Sequence, residues 1–231
     1  MNTPRPAKAA RPPRGSSKVA KPHLLESLQS LVKQGVWRLL RPVVQHRGPA
    51  DHVYLTFDDG PHPQHTPRLL DLLQQARVRA TFFMTGDMML LHPELVQRVR
   101  DQGHTIGLHG SQHQHLSELS LRGQWRDLRA MAHTAQGFGL PFRFYRPPYG
   151  ELSITRILWC WLHRVRIVMW TLDSGDSFVS SPQALQEQSA QWEVRAGEVV
   201  LFHDDTAATV DSMPALLAHF KRTQLELAPL L

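Results

Sequence analysis

Cysteine is nearly absent: Cys160 is the only one among 231 residues. An intramolecular disulfide is therefore excluded, and so is a cysteine-based zinc centre. Any metal has to be held by His, Asp or Glu. Long apolar runs are missing as well. No stretch approaches the roughly 20 consecutive apolar residues of a membrane-spanning helix. Residues 1–22 lack the apolar core of a secretory signal, so the expected place is the cytoplasm. Neither the low hydrophobicity nor the high charge density of a disordered chain is present, with 42% hydrophobic and 20% charged residues. The length predicts one sizeable domain plus an appendage.

Acidic residues are scarce at one end only. Residues 1–47 hold ten Lys or Arg against a single acid, Glu26, a balance of +9, so in a chain of total charge +6 the remainder carries −3. A basic tail of this kind favours anionic surfaces in general. It does not identify the substrate of the acidic remainder, and a nucleic-acid partner is not expected. If the tail alone bound nucleic acid, deletion of residues 1–22 would abolish binding, and the salt dependence would be steep.

The Pro-rich basic stretch 1–22 is expected to be disordered. Residues 23–47 are read as an amphipathic helix, because Leu24, Leu28, Leu31, Val32, Val36, Leu39, Leu40 and Val43 recur at steps of three and four among Lys33, Arg38 and Arg41. Such a helix either packs on the domain or lies on an anionic membrane. From residue 48 to 231 the pattern alternates strands with helices. Strands are predicted at 53–57, 80–84, 105–108, 142–145, 167–171 and 199–202. Helices are predicted from Thr66-Pro67 and from Pro93, and near 120–136, 151–163, 182–193 and 212–221. Repeated βα units imply an α/β fold, a parallel sheet covered by helices and either open or closed into a barrel. Its chemistry is expected at the C-terminal strand ends.

Fourteen histidines is a high count, and His104, His109, His113 and His115 crowd into twelve residues. His109 and His113, four apart after a predicted strand, are spaced as metal-binding pairs are. Asp58 and Asp59 leave another strand end in different directions, so one can ligate a metal while the other faces substrate. Two imidazoles and one carboxylate make the three-ligand set that leaves a position open in catalytic zinc sites, and Asp59 is a candidate for that carboxylate. In Arg146-Pro147-Pro148-Tyr149-Gly150 the prolines lack N–H groups, so the Tyr149 N–H is the first free donor of a stiff turn and a candidate oxyanion donor. Further strand ends carry Asp173 and Asp176, and His203.

The order of these motifs resembles the polysaccharide deacetylase family with a NodB-type domain, carbohydrate esterase family 4. Thr56-Phe57-Asp58-Asp59-Gly60, His109 to His113, Arg146-Pro147-Pro148-Tyr149, Asp173-x-x-Asp176 and Leu201-Phe202-His203 match its five motifs in sequence, over about residues 52–205. The resemblance implies a distorted (β/α) barrel. It implies that Asp59, His109 and His113 bind a divalent metal, zinc. Asp58 is then the base acting on metal-bound water, and His203 the acid for the leaving amine. Arg146 orients Asp58, Asp173 tunes His203, and the Tyr149 N–H helps hold the oxyanion. The activity implied is removal of an acetyl or other acyl group from an amino sugar or polysaccharide. The alternative is a deformylase or amidase acting on a lipid-linked amino sugar or a non-carbohydrate amide, and a different class is a silent ligand binder. Two positions depart from the family pattern: Gly110 stands where Ser or Thr is usual, and Ser177 where Trp is usual. Together with the basic segment, the resemblance predicts an acylated amino-sugar partner and peripheral contact with the anionic inner face of a membrane.

Overall fold

The structure, a computed structural model, describes residues 43–179 and 181–231. The expected tail, and the expected helix up to residue 42, lie outside the described residues. The helix reading does not extend to its predicted end, because Val44–Gln45 forms a strand, β1, paired in parallel with Arg166–Val168.

The central strands of the sheet, those ending at Asp58, Met84 and His203, are apolar runs buried on both faces, as expected for a parallel sheet covered by helices. The strands after β1 are β2 (His52–Asp58), β3 (Thr81–Met84), β4 (Thr105–Leu108), β5 (Phe144–Tyr145), β6 (Arg166–Val168), β7 (Leu172–Asp173) and β8 (Val199–His203). All pairs are parallel, and the order across the sheet is β1-β6-β5-β4-β3-β2-β8-β7. A short strand, β9 (Glu226–Leu227), pairs with the start of β2. The sheet curls into a half-barrel clad by helices, the (β/α) barrel expected for a NodB-type domain.

The helices are α1 (His65–Ala76), α2 (Gly86–Leu91), α3 (Pro93–Asp101), α4 (Leu121–Gly137), α5 (Ile154–Leu162), α6 (Pro182–Ser189) and α7 (Ala207–Arg222). Four of them start on a hydroxyl cap: Ser120, Ser153, Ser181 and Thr206 each accept the N–H three residues on, a bond that contributes about 1 kcal/mol. The cap at Thr206 starts α7 five residues before the periodic pattern does. Thr66, where the helix is predicted to begin, is the second residue of α1, and its hydroxyl donates to the Asp204 carboxylate. Between sheet and helices, Phe57 stacks with Phe82 and Phe202 at 5.2 and 5.7 Å. Each such ring contributes about 2–3 kcal/mol by burial, and together they clamp β2 between β3 and β8, the strands that flank the site.

Candidate active site

In the sheet register Asp58 lies opposite His203 on one side and Phe83 on the other. The last residues of β2 and β8 therefore share one rim, and the residues just after β4 and β5 complete it. A cleft of about 390 Å³ opens there, lined by Asp58, Asp59, His109, His113, Tyr149 and His203 among others. Larger cavities, of about 440 and 540 Å³, lie at the opposite strand ends and lack the clustered ligands found here.

Asp58 is buried, and its Oδ1 accepts a hydrogen bond from Nη1 of Arg146 at 2.7 Å. Arg146 is itself wholly buried, and its position is over-determined. Nη1 also reaches Thr56 Oγ1 at 2.8 Å, Nε and Nη2 donate to the carbonyls of Val168 and Met169, and the guanidinium lies 4.2 Å from the Phe83 ring centre. Buried charges are tolerated when paired and hydrogen-bonded, and here Arg146 is paired with Asp58 and makes four hydrogen bonds. Arg146 thus stands against Asp58, the residue that the family resemblance implies it orients.

Asp59 adopts φ 77, a left-handed backbone uncommon for a residue with a side chain. That conformation costs about 1–2 kcal/mol and is the kind of strain that clusters at functional sites. Its Oδ1 lies 3.3 Å from Nε2 of His109 and 3.2 Å from Nε2 of His113. The three donor atoms lie within 4.8 Å of one another. His109 Nδ1 donates to the Arg146 carbonyl at 2.8 Å, which fixes the tautomer and leaves the Nε2 lone pair facing Asp59. Asp59 Oδ1 is buried and has no hydrogen-bond partner. Burial alone would raise the Asp59 pKa, but in the absence of a metal the N–H groups and positive charge of protonated His109 and His113 outweigh it and lower that pKa. Burial depresses the pKa of His113, with Asp59 opposing, so its neutral form is favoured. An orphaned carboxylate oxygen converging with two imidazole nitrogens fits a divalent cation of the zinc type, with a coordination position left over.

His203 stands across the cleft. Its Nδ1–H is shared between Asp176 Oδ1 and Ser177 Oγ, each at 2.8 Å, and its backbone N–H donates to Asp176 Oδ2 at 2.7 Å. Burial opposes the imidazolium, but the hydrogen bond and charge of Asp176, aided by Asp58 and Asp59, prevail and raise the His203 pKa to about 9. Asp173 does not perform the expected tuning. It ends β7, is exposed, and its Oδ1 accepts the Gly175 N–H at 2.9 Å. The short helical turn Asp176–Phe178 carries Asp176 inward beneath β8, where Thr209 also donates to it. Tyr149 is where the sequence places it, in the turn after Arg146, with φ 56. Its ring lies 4.3 Å from that of His113 and stacks on His115 at 3.6 Å.

Three contributors escape sequence reasoning: Asp176 as the partner of His203, Ser177 on the same nitrogen, and Thr56 beneath Arg146. The signal for Asp176 was present in the fourth motif, where the wrong one of two aspartates is read as the partner. Ser177 counts as a departure from a pattern and not as a ligand of His203. Gly110, the other departure, has φ 88, and a Cβ there would lie 2.8 Å from the Gln112 carbonyl oxygen and 3.0 Å from Pro148.

Residues 45–159 match the family model of polysaccharide deacetylase. That segment holds Asp58, Asp59, His109, His113 and Arg146, and ends before His203. The chain is 34% identical over 168 residues to a chitooligosaccharide deacetylase of Sinorhizobium fredii, covering 71% of this chain and 77% of that protein. It is 36% identical over 127 residues to a peptidoglycan-N-acetylglucosamine deacetylase of Bacillus cereus, covering 54% of this chain but only 46% of that longer protein. Among solved structures, it is similar to a peptidoglycan N-acetylglucosamine deacetylase in complex with 4-naphthalen-1-yl-N-oxidanyl-benzamide. The TM-score is 0.76 and the identity 27%, over 84% of this chain and 93% of that one.

Proposed function

Since the chain belongs to the polysaccharide deacetylase family and is by that membership a hydrolase of non-peptide carbon–nitrogen bonds, we propose that it removes the N-acetyl group from N-acetylglucosamine units of a glycan. The named activities of its relatives on peptidoglycan and chitooligosaccharide support that substrate class. The observation that carries the reading is the pairing of Asp58 with Arg146 on one wall and His203 with Asp176 on the other, either side of the Asp59, His109 and His113 set.

The division of labour follows from protonation. Asp58, oriented by its hydrogen bond from Arg146, accepts a proton from the attacking water. His203 keeps its proton through Asp176 and donates it from Nε2 to the amide nitrogen as the carbon–nitrogen bond breaks. Water adds to the acyl carbon, and acetate and a free amine leave. Asp59, His109 and His113 would hold a divalent cation, zinc by the chemistry of the donor set, which would polarise the carbonyl and lower the pKa of water. The Tyr149 backbone N–H, in the turn that lines the cleft, supplies a further donor for the oxyanion.

The test is a panel of N-acetyl and N-formyl amino sugars, free, polymeric and lipid-linked, assayed with added zinc, cobalt or nickel for acetate or formate release. Acetate from chitooligosaccharide or peptidoglycan fragments is the expected result. Release only of formate, or only from lipid-linked substrates, would replace the substrate and keep the site. No release from any amide by metal-loaded protein would overturn the reading.

A further inference from the structure

A helix on the surface of a globular protein is apolar on one face and polar on the other, and one that is apolar all round is normally covered all round. Helix α5 departs from that rule. Its inner face buries Ile157, Trp159 and Cys160. Its outer face presents Ile154, Leu158, Trp161 and Leu162, at steps of four, three and one, with Ile154 75% and Trp161 51% exposed. Its one charged side chain, Arg156, is buried and turned inward, 3.8 Å from Asp127. Helix α4 packs beside α5 and extends the patch with Leu121, 68% exposed, and Trp125. Apolar exposure of this extent on two packed helices marks an interaction surface.

The charges around the patch narrow the partner. Arg122, Arg126 and Arg129 on α4 and Arg164 just beyond α5 are exposed, and none forms an ion pair among the described residues. No exposed residue of either helix is acidic. Asp127 is half-buried and engaged by the Ser111 N–H, and Glu151, in the loop before α5, is engaged by His115 and the Leu116 N–H. A symmetric contact between two copies would set these arginines against each other. We propose that the α4–α5 face seats on an anionic lipid bilayer: the Leu, Ile and Trp side chains enter the headgroup boundary, and the arginines meet the phosphates. Both helices start beside the cleft, α4 after the loop that carries His113 and α5 after the turn that carries Tyr149. Docking on this face therefore sets the cleft's rim next to the headgroups. This proposal stands whichever amide the cleft hydrolyses.

The experiment uses the full chain, so that the basic residues 1–47 are the same in every sample. Co-sedimentation is measured with phosphatidylcholine vesicles, with and without phosphatidylglycerol, at low and high salt. Leu158→Ser with Trp161→Ser, and separately Arg122→Glu with Arg126→Glu, are compared with the parent. All four positions are exposed, so both variants should keep the parent's thermal midpoint. The parent is expected to sediment with the anionic vesicles only. The apolar pair should weaken that partitioning by about tenfold or more, and the charge reversal should remove much of its salt dependence. Absence of vesicle binding would overturn the proposal. So would equal binding by the parent and both variants, which would place the contact in the N-terminal segment. A lipid-independent dimer that the apolar pair dissolves would assign the face to a second copy instead.

Discussion

In the proposed mechanism Asp58 and His203 carry opposite proton-transfer tasks across one cleft, and each is held by a different neighbour, Arg146 and Asp176. Exchanging either should therefore leave the metal ligands intact. Asp58→Asn and His203→Ala are expected to fold, to keep their metal by elemental analysis, and to lose about 10²- to 10⁴-fold in turnover. His113→Ala should instead lose the metal, since it removes one of three ligands. The neighbour of His203 is testable through pH. With the His203 pKa raised to about 9, its acid form persists until pH rises through that value. Turnover should fall on that alkaline limb. In Asp176→Asn the limb should move down toward the ordinary 6.5 of histidine, whereas Asp173→Asn should leave it in place. Of the residues named for this site, Asp58, Asp59, His109, Arg146 and His203 are legible because each ends a strand or begins the loop after it, and His113 because it follows His109 at a spacing of four. Asp173 and Asp176 were not separable in the same way. Both sit in one polar turn, and only the direction of that turn, which brings Asp176 beneath Thr209, decides which carboxylate reaches the imidazole.

At the scale of elements, periodicity and capping residues reveal what is long and buried. Strands β2, β3, β4 and β8 and helices α1, α3, α4 and α5 stand where the apolar pattern places them, to within a few residues. Of the four two-residue strands, β5 lies within a predicted strand, but β1, β7 and β9 do not announce themselves, because nothing in Val44–Gln45, Leu172–Asp173 or Glu226–Leu227 distinguishes a strand from a loop. They exist because a neighbouring strand offers its unpaired backbone groups at an edge or beyond its paired length. Local geometry also explains Gly110, where the family pattern calls for a hydroxyl. The loop between β4 and α4 passes through φ 88 there, and the Gly110 carbonyl accepts the Gly86 N–H that starts α2. Gly110→Ser, which restores the family residue, is therefore expected to destabilise this chain by about 1–2 kcal/mol and to weaken metal binding, because His109 and His113 flank the strained turn. Urea unfolding with a metal titration measures both. Unchanged stability would mean that the loop readily adopts another path.

The whole molecule combines opposite charges, a strongly basic N-terminal stretch and a mildly acidic remainder, and its stability should respond to pH through a few buried groups. His104 is buried with a pKa of about 4, because burial and then Arg79 disfavour its charged form. The unfolded chain takes up that proton near 6.5 and the folded chain only near 4, so His104 costs stability as pH falls between those values. Asp204 acts in the other direction over part of the same range. It is wholly buried and raised to about 7 by desolvation, so its contribution is complete below the ordinary carboxylate value and is lost as pH rises through 7. Between pH 7 and 9 the sign is set by His203. Its folded pKa of about 9 exceeds the unfolded 6.5, so its contribution is full below 6.5 and drains away as pH climbs through 9. The metal-free chain should thus lose stability steadily from pH 7 to 9, and Asp176→Asn should flatten that slope. The two opposing contributions below pH 7 can be separated by Asp204→Asn, which should steepen the loss of stability toward acid by removing the group that offsets His104. Urea midpoints measured across the full pH range for the parent and both variants test all three assignments together. A parent curve that is flat from pH 7 to 9 would show that Asp176 does not hold the proton on His203, and with it the acid role of that histidine would fall.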